Sequence, residues 1–298
     1  SFAKEVMAAA DVPTASAGRP PDVSVPGLDP VDSPERKHMT TSKRRRAGAR
    51  EAVRDPMHPV HGTFDWRGRT LAYQVVGRGD RVVVLMHGLL MDARLNRGVA
   101  HALAQRGYRV VLLDLLGHGD SDRPHRASEY RMDTYVDQVV ALFDHLGLAR
   151  AVVGGVSLGA NVSLLLAARH PDRVQALWIE MPVLERAVPA AALTFVPALV
   201  TLHYAMPLAR AASRVARALR RTRHDLVASA LAPLATPPDA AVAVLHGILV
   251  GPVAPTKDER RRIEVPALVI GHGADVIHPF SDAEALARQM PNATLVRA

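Results

Sequence analysis

Cysteine is absent from the 298 residues. That excludes a disulfide framework, a Cys-ligated zinc or iron–sulfur site, and a thiol nucleophile. It agrees with a reducing compartment, and the expected location is cytoplasmic. Residues 1–20 lack the continuous apolar run of a signal peptide, and residue 1 is Ser rather than Met. No motif calls for a cofactor or a metal, and none is expected. Neutral charge is also missing: 37 Lys and Arg face 29 Asp and Glu, a formal +8. No nucleic-acid motif accompanies that excess, so it reads as the habit of an Arg- and Ala-rich proteome, and no nucleic-acid partner is expected.

What is present is globular: 48% hydrophobic and 22% charged residues. The length suffices for one large α/β domain, or a core with a smaller one. Residues 1–60 stand apart. They hold 8 of the 22 prolines, with much Ser, Thr, Asp and Gly, and read as a disordered or non-native tail. Met39 and Met57 each precede a plausible start. Lys43-Arg44-Arg45-Arg46 reads as a solvated basic patch.

From His61 the pattern orders. Thr63–Trp66 and Thr70–Val76 are β-rich around an Arg67-Gly68-Arg69 turn. Arg81–Met86, Tyr108–Leu113, Ala151–Val156, Val174–Ile179, Ala267–Ile270 and Ala293–Val296 read as strands, most of them wholly apolar. Helical spacing predicts helices over Ala93–Gln105, Met132–Phe143, Leu158–Arg169 and Asp282–Gln289. Apolar strands alternating with helices predict a mostly parallel twisted sheet with helices on both faces. The core is expected over 61–182 and 263–298, and 183–262 as a helical cap. In such sheets the site lies at the carboxyl ends of the strands, where His87-Gly88-Leu89, Asp114, Ser157 and Asp275 all fall.

The cap carries 11 Arg and Lys against 5 Asp and Glu, so +6 of the excess lies there. Ala187–Ala209 is 23 residues without a formal charge, the length of a transmembrane span. Pro189, Pro197, Pro207 and His203 interrupt it, so short buried helices are expected, and membrane association is not. Leu208, Ala212, Val215 and Leu219 form one face of a following helix. Arg210, Arg214, Arg217 and Arg221 form another, expected to be solvated, with contact to an anionic lipid surface as the minority reading.

The organising stretch is Gly155-Val156-Ser157-Leu158-Gly159, between an apolar strand and a helix. A nucleophilic serine must project its Oγ clear of the backbone, so the chain turns sharply there. The flanking glycines follow, because strand and helix pass too close for side chains.

With these residues in hand, the chain resembles the α/β-hydrolase superfamily, in its cap-bearing esterase, lipase and haloperoxidase-like branch. The matching pieces are His87-Gly88-Leu89, the Asp114–Ser121 turn, the Ser157 pentapeptide, and Gly271 through Pro279. The resemblance implies Ser157 as nucleophile, Asp275 as triad acid, and the backbone N–H groups of Leu89 and Leu158 as oxyanion hole. The serine argues against the related dehalogenases and epoxide hydrolases, which place aspartate there. His87 and His118 are expected to be structural, and Asp114 to tie its turn together through backbone amides.

The resemblance also implies a catalytic histidine after the last core strand, and the sequence stops within that strand. Three readings stay open: a C-terminally incomplete chain, His278 serving as base, or a pocket that binds without hydrolysing. The expected function is cleavage of a carboxylic ester of an apolar small molecule through an acyl-enzyme on Ser157. The alternative is a catalytically inactive, hydrolase-like binding protein. Substrate-binding residues and oligomeric state stay open.

Overall fold

The computed structural model describes residues 57–298 with the exception of 223, 274 and 276. The expected tail, with its basic run at Lys43–Arg46, falls almost wholly outside the described residues. Of the tail, only residues 57–60 are described, and Val60 already opens the first strand.

Eight strands form one sheet: β1 Val60–Trp66, β2 Arg69–Val76, β3 Arg81–Met86, β4 Tyr108–Leu113, β5 Ala151–Val156, β6 Val174–Glu180, β7 Ala267–Gly271 and β8 Ala293–Arg297, ordered β1-β2-β4-β3-β5-β6-β7-β8. β1 and β2 form an antiparallel hairpin whose turn residues Arg67 and Gly68 both take positive φ, at 52° and 75°. That is the twist-matched turn that hairpins favour. β2 meets β4 antiparallel, and every later pairing is parallel. The crossover between β4 and β3 and the outward run from β3 to β8 bring the strand ends together at the centre.

The parallel strands are buried on both faces. In β3, Val82, Val84 and Met86 enter one hydrophobic cluster, and Val83 and Leu85 enter the other. This is the period-2 alternation of an extended chain with no solvent face. Helices α1 Arg97–Ala104, α2 Met132–His145 and α3 Leu158–Arg169 cover those faces. α1 starts four residues later than its apolar spacing predicts, because Ala93–Asn96 forms a 3-10 turn capped by the Asp92 side chain.

Between β6 and β7 lies a helical segment: α4 Ala187–Tyr204, α5 Met206–Leu219, α6 Asp225–Ala230, α7 Ala232–Ala235, α8 Pro238–Ile248 and α9 Lys257–Arg261; α10 Phe280–Gln289 then follows β7. α4 and α5 break at Ala205 and meet at 105°. Among the described residues no single helix is long and apolar enough to cross a membrane. The apolar stripe of α5 does not point inward. Ser213 and Ala216 are its buried residues, whereas Leu208, Val215 and Leu219 are exposed at 72%, 60% and 60%.

Two polar side chains, Asn161 and Asp282, fasten this segment to the core, and a third, Arg260, ties its two ends together. Asn161, buried on α3, donates to Val183 O at 2.7 Å and Val253 O at 2.9 Å and accepts from Val183 N at 3.0 Å, so it grips both ends of the insertion. Asp282 on α10 accepts from the amides of Leu184, Arg186 and Ala187 at 3.0, 3.3 and 2.9 Å. These amides precede and open α4, where a helix start lacks internal partners. Arg260, fully buried on α9, is ion-paired to Glu185. None of the three announces itself in the sequence.

Candidate active site

β5 ends at Val156, and α3 begins one residue after Ser157, so the serine is the whole turn. Its backbone sits at φ 54°, ψ −105°, a conformation that L-residues rarely adopt. The flanking glycines are explained by one atom. A Cβ on Gly155 would lie 2.2 Å from Met86 O, and a Cβ on Gly159 2.4 Å from the same oxygen. Gly159 N donates to His87 O at 3.1 Å, which fastens α3 to the loop after β3.

That loop lies directly against the serine: a Cβ added to Gly88 would meet Ser157 Cβ at 3.9 Å. Gly88 O accepts from Met91 N at 3.1 Å, closing a tight turn around Leu89 and Leu90, and Leu90 takes φ 57°. His87 sits fully buried beneath it. Leu115 N donates to His87 Nε2 at 3.1 Å, so the ring proton is on Nδ1, which donates to Gly88 O at 2.8 Å. Both nitrogens are thereby occupied by backbone groups, and His87 serves the turn.

Asp114, buried at the end of β4, accepts from Ala93 N at 2.7 Å and Asp120 N at 3.0 Å. Burial raises its carboxyl above the ordinary range against the pull of His87 and these amides. His118 is also buried, with Nδ1 on Leu116 O at 2.9 Å; burial, then His87, holds it well below its ordinary value. These residues tie the loops together, as expected of them.

The third loop follows β7. Asp275 Oδ1 accepts from the amides of Ile277 and His278, both at 2.8 Å, a local Asx turn that swings the His278 ring toward the sheet. His278 Nε2 then lies 2.9 Å from Ser157 Oγ. On the ring's other side, Nδ1 lies 3.1 Å from Asp275 Oδ2, an ion-pair separation whose angle is too bent for a hydrogen bond. Burial pushes the Asp275 carboxyl up; the His278 amide and ring and the Ile277 amide outweigh it and hold it below the usual carboxylate range.

The structure thus brings together Ser157, His278 and Asp275, with Leu89 on the loop after β3 and Leu158 opening α3. It adds a neighbour that sequence reading misses. Glu180, at the end of β6, receives His272 Nε2 at 3.1 Å on Oε1, and its carbonyl accepts from Ser157 N at 2.9 Å. Strand-end position was the available signal. A polar cavity of about 220 Å³ opens between the cap and the β2–β4 edge, lined by Asp92, Arg94, Arg97, Arg217, Arg220 and Arg221 among others. Neither Ser157 nor His278 lines it, so it flanks the serine site. Among the described residues no cluster of His, Asp or Glu is arranged to hold a metal.

Comparison with known proteins bears on the fold that carries these loops. The signature of the alpha/beta hydrolase fold matches residues 81–237. A haloalkane dehalogenase of Mycolicibacterium paratuberculosis is 36% identical over 112 residues, 37% of this chain and 37% of that protein. The superfamily protein YisY of Bacillus subtilis is 34% identical over 101 residues, 34% of this chain and 37% of that protein. The chain therefore matches little more than a third of the length of either relative. Among solved structures, an enol-lactonase from Burkholderia xenovorans shares 24% identity at a TM-score of 0.65, over 80% of this chain and 91% of that one. An enzyme described as degrading N-acyl homoserine lactones shares 25% at 0.62, over 80% and 91%.

Proposed function

This chain belongs to the alpha/beta hydrolase fold family, and from that premise we propose that it is a serine hydrolase cleaving a carboxylic ester of an apolar small molecule. One observation carries the reading: the 2.9 Å contact between Ser157 Oγ and His278 Nε2. A serine hydroxyl is a weak nucleophile until a base takes its proton, and this is the distance at which a base does so. The elbow residue is serine rather than aspartate, which favours acyl transfer over the carboxylate-driven displacement of the dehalogenase-type relatives.

In the proposed cycle Ser157 Oγ attacks the ester carbonyl as its proton passes to His278 Nε2. Asp275, held ionised, faces the imidazolium that forms. The negative charge gathering on the carbonyl oxygen is met by the N–H groups of Leu158 and Leu89, each worth roughly 3–4 kcal/mol in the transition state. His278 hands its proton to the leaving alcohol. Water, deprotonated by the same ring, then releases the acid from the acyl-enzyme.

Labelling with a fluorophosphonate probe tests this. Ser157 is expected to be the labelled residue, and Ser157→Ala to abolish labelling. An unlabelled protein, or labelling that survives the substitution, overturns the assignment. The bent contact between His278 Nδ1 and Asp275 favours a second reading, a hydrolase-like protein that binds without turnover. Saturable ligand binding with no hydrolysis of short aryl esters supports it.

A further inference from the structure

Among the described residues, the exposed large apolar side chains all lie between Val188 and Val250, in the cap. The core elements contribute none. On α4, Leu193, Val196, Val200 and Tyr204 recur at spacings of three and four on one side of the helix, with Val188 off that side. On α5 they are Leu208, Val215 and Leu219, again one side. Leu193 and Tyr204 are 79% and 82% exposed. A helix whose only neighbours are its own core turns its large apolar residues inward. α5 does the reverse, burying Ser213 and Ala216 and turning leucine and valine to solvent.

The stretch itself carries charge of one sign, although Asp239 pairs with Arg210 at 3.0 Å and Asp92 pairs with Arg220 from neighbouring elements. From Ala187 to Thr222 the sequence contains Arg210, Arg214, Arg217, Arg220 and Arg221 and no Asp or Glu. On α5 the arginines at 210, 214, 217 and 221 fall on the side away from the leucine stripe at 100° per residue. With Arg210 and Arg220 taken up by those pairs, α5 still sets Arg214, Arg217 and Arg221 opposite its apolar side, the composition of helices that lie in a membrane interface. A second copy of this chain fits less well, because a two-fold contact would set the same arginine-rich segment against itself.

We propose that α4 and α5 form a docking surface for an anionic lipid bilayer, with Leu193, Val200, Leu208 and Leu219 entering the interface and Arg214 and Arg217 meeting the headgroups. The docking stands on the exposed cap alone. Its consequence for substrate rests on the serine-hydrolase reading: the cap covers the strand ends, so a docked molecule draws esters from the lipid phase.

Vesicle flotation decides it. The protein is expected to float with phosphatidylcholine–phosphatidylserine vesicles, to stay behind with pure phosphatidylcholine, and to be released by high salt. Leu193→Asp with Leu208→Asp, and separately Arg214→Glu with Arg217→Glu, are each expected to weaken capture by about tenfold or more. Both pairs are surface positions, so circular dichroism and the hydrolysis of a short water-soluble ester are expected to be unchanged. No capture, equal capture by neutral vesicles, or variants that float like the parent overturn the proposal. So does a concentration-dependent dimer that buries the stripes. Vesicle capture without Ser157 labelling would leave the docking and remove the hydrolase reading; labelling without capture would do the opposite.

Discussion

His278 and Ser157 lie 121 residues apart in the chain and 2.9 Å apart in space, Nε2 facing Oγ. The serine is carried by the turn between β5 and α3, and the histidine by the loop after β7. Two strands separate neither in depth: β5, β6 and β7 are adjacent and parallel, so their carboxyl ends open onto one rim. The Asx turn at Asp275 supplies the last step by folding the loop back over that rim.

The sharpest consequence concerns His278. In the proposed cycle it is the only base, so His278→Gln is expected to lower kcat on a short aryl ester by roughly a thousandfold or more, with little change in KM. Asp275→Asn is expected to lower kcat by a smaller factor, because the His278–Asp275 contact is bent. A His278→Gln enzyme retaining parental kcat would remove this ring from the reaction.

Gly159, two residues past Ser157, makes a packing prediction. Gly159→Ala puts a methyl 2.4 Å from Met86 O, a backbone atom at the end of a buried strand that has no room to withdraw. A loss of about 1–3 kcal/mol in urea unfolding is expected, together with reduced labelling of Ser157, since α3 must shift. Gly98→Ala, where the added Cβ meets nothing and the helix favours alanine, is the control and is expected to lose no stability and to label like the parent.

These elements were legible to different degrees, for physical reasons. A strand buried on both faces must be apolar throughout, so Arg81–Met86, Tyr108–Leu113 and Ala151–Val156 are marked at both ends by where polarity resumes. The elbow was legible because its glycines answer to backbone crowding that no other residue tolerates. The cap was not. Periodicity says that Leu208, Val215 and Leu219 share a side of α5; it cannot say whether that side meets protein or solvent. Asn161 and Asp282 were silent because their partners are backbone amides and carbonyls, which leave no mark in a sequence.

Asn161 supplies a stability prediction. Its amide makes three hydrogen bonds to Val183 and Val253 at the two ends of the cap segment. Asn161→Ala leaves those backbone groups without their partner in a part-buried setting, and a loss of about 2–3 kcal/mol is expected. Limited proteolysis is expected to cut within residues 183–253 before it cuts the core. Asn161→Asp keeps the acceptor but sets a buried carboxylate against two carbonyl oxygens, and is expected to cost at least as much as the alanine. Core and cap cleaved at the same rate would show that Asn161 does not hold the cap.

His118 sets the response to acid. Burial holds its imidazole well below the ordinary 6.5, with His87 and Arg123 adding to the effect. Its Nε2 has no partner among the described residues, so a proton arriving there would be buried without an acceptor. The unfolded chain then binds a proton that the native state refuses, and stability rises with pH through that range and falls as pH is lowered. Lowering the pH from about 7 to about 5 is therefore expected to reduce stability through this group. Asp114 opposes it, because its raised carboxyl lets the native state take up a proton sooner than the unfolded chain. His118→Asn keeps a donor for Leu116 O and removes the titration, so its stability curve is expected to be flatter than the parent's over the same interval. Parallel curves for the two proteins would show that His118 titrates alike folded and unfolded, and that burial does not govern it.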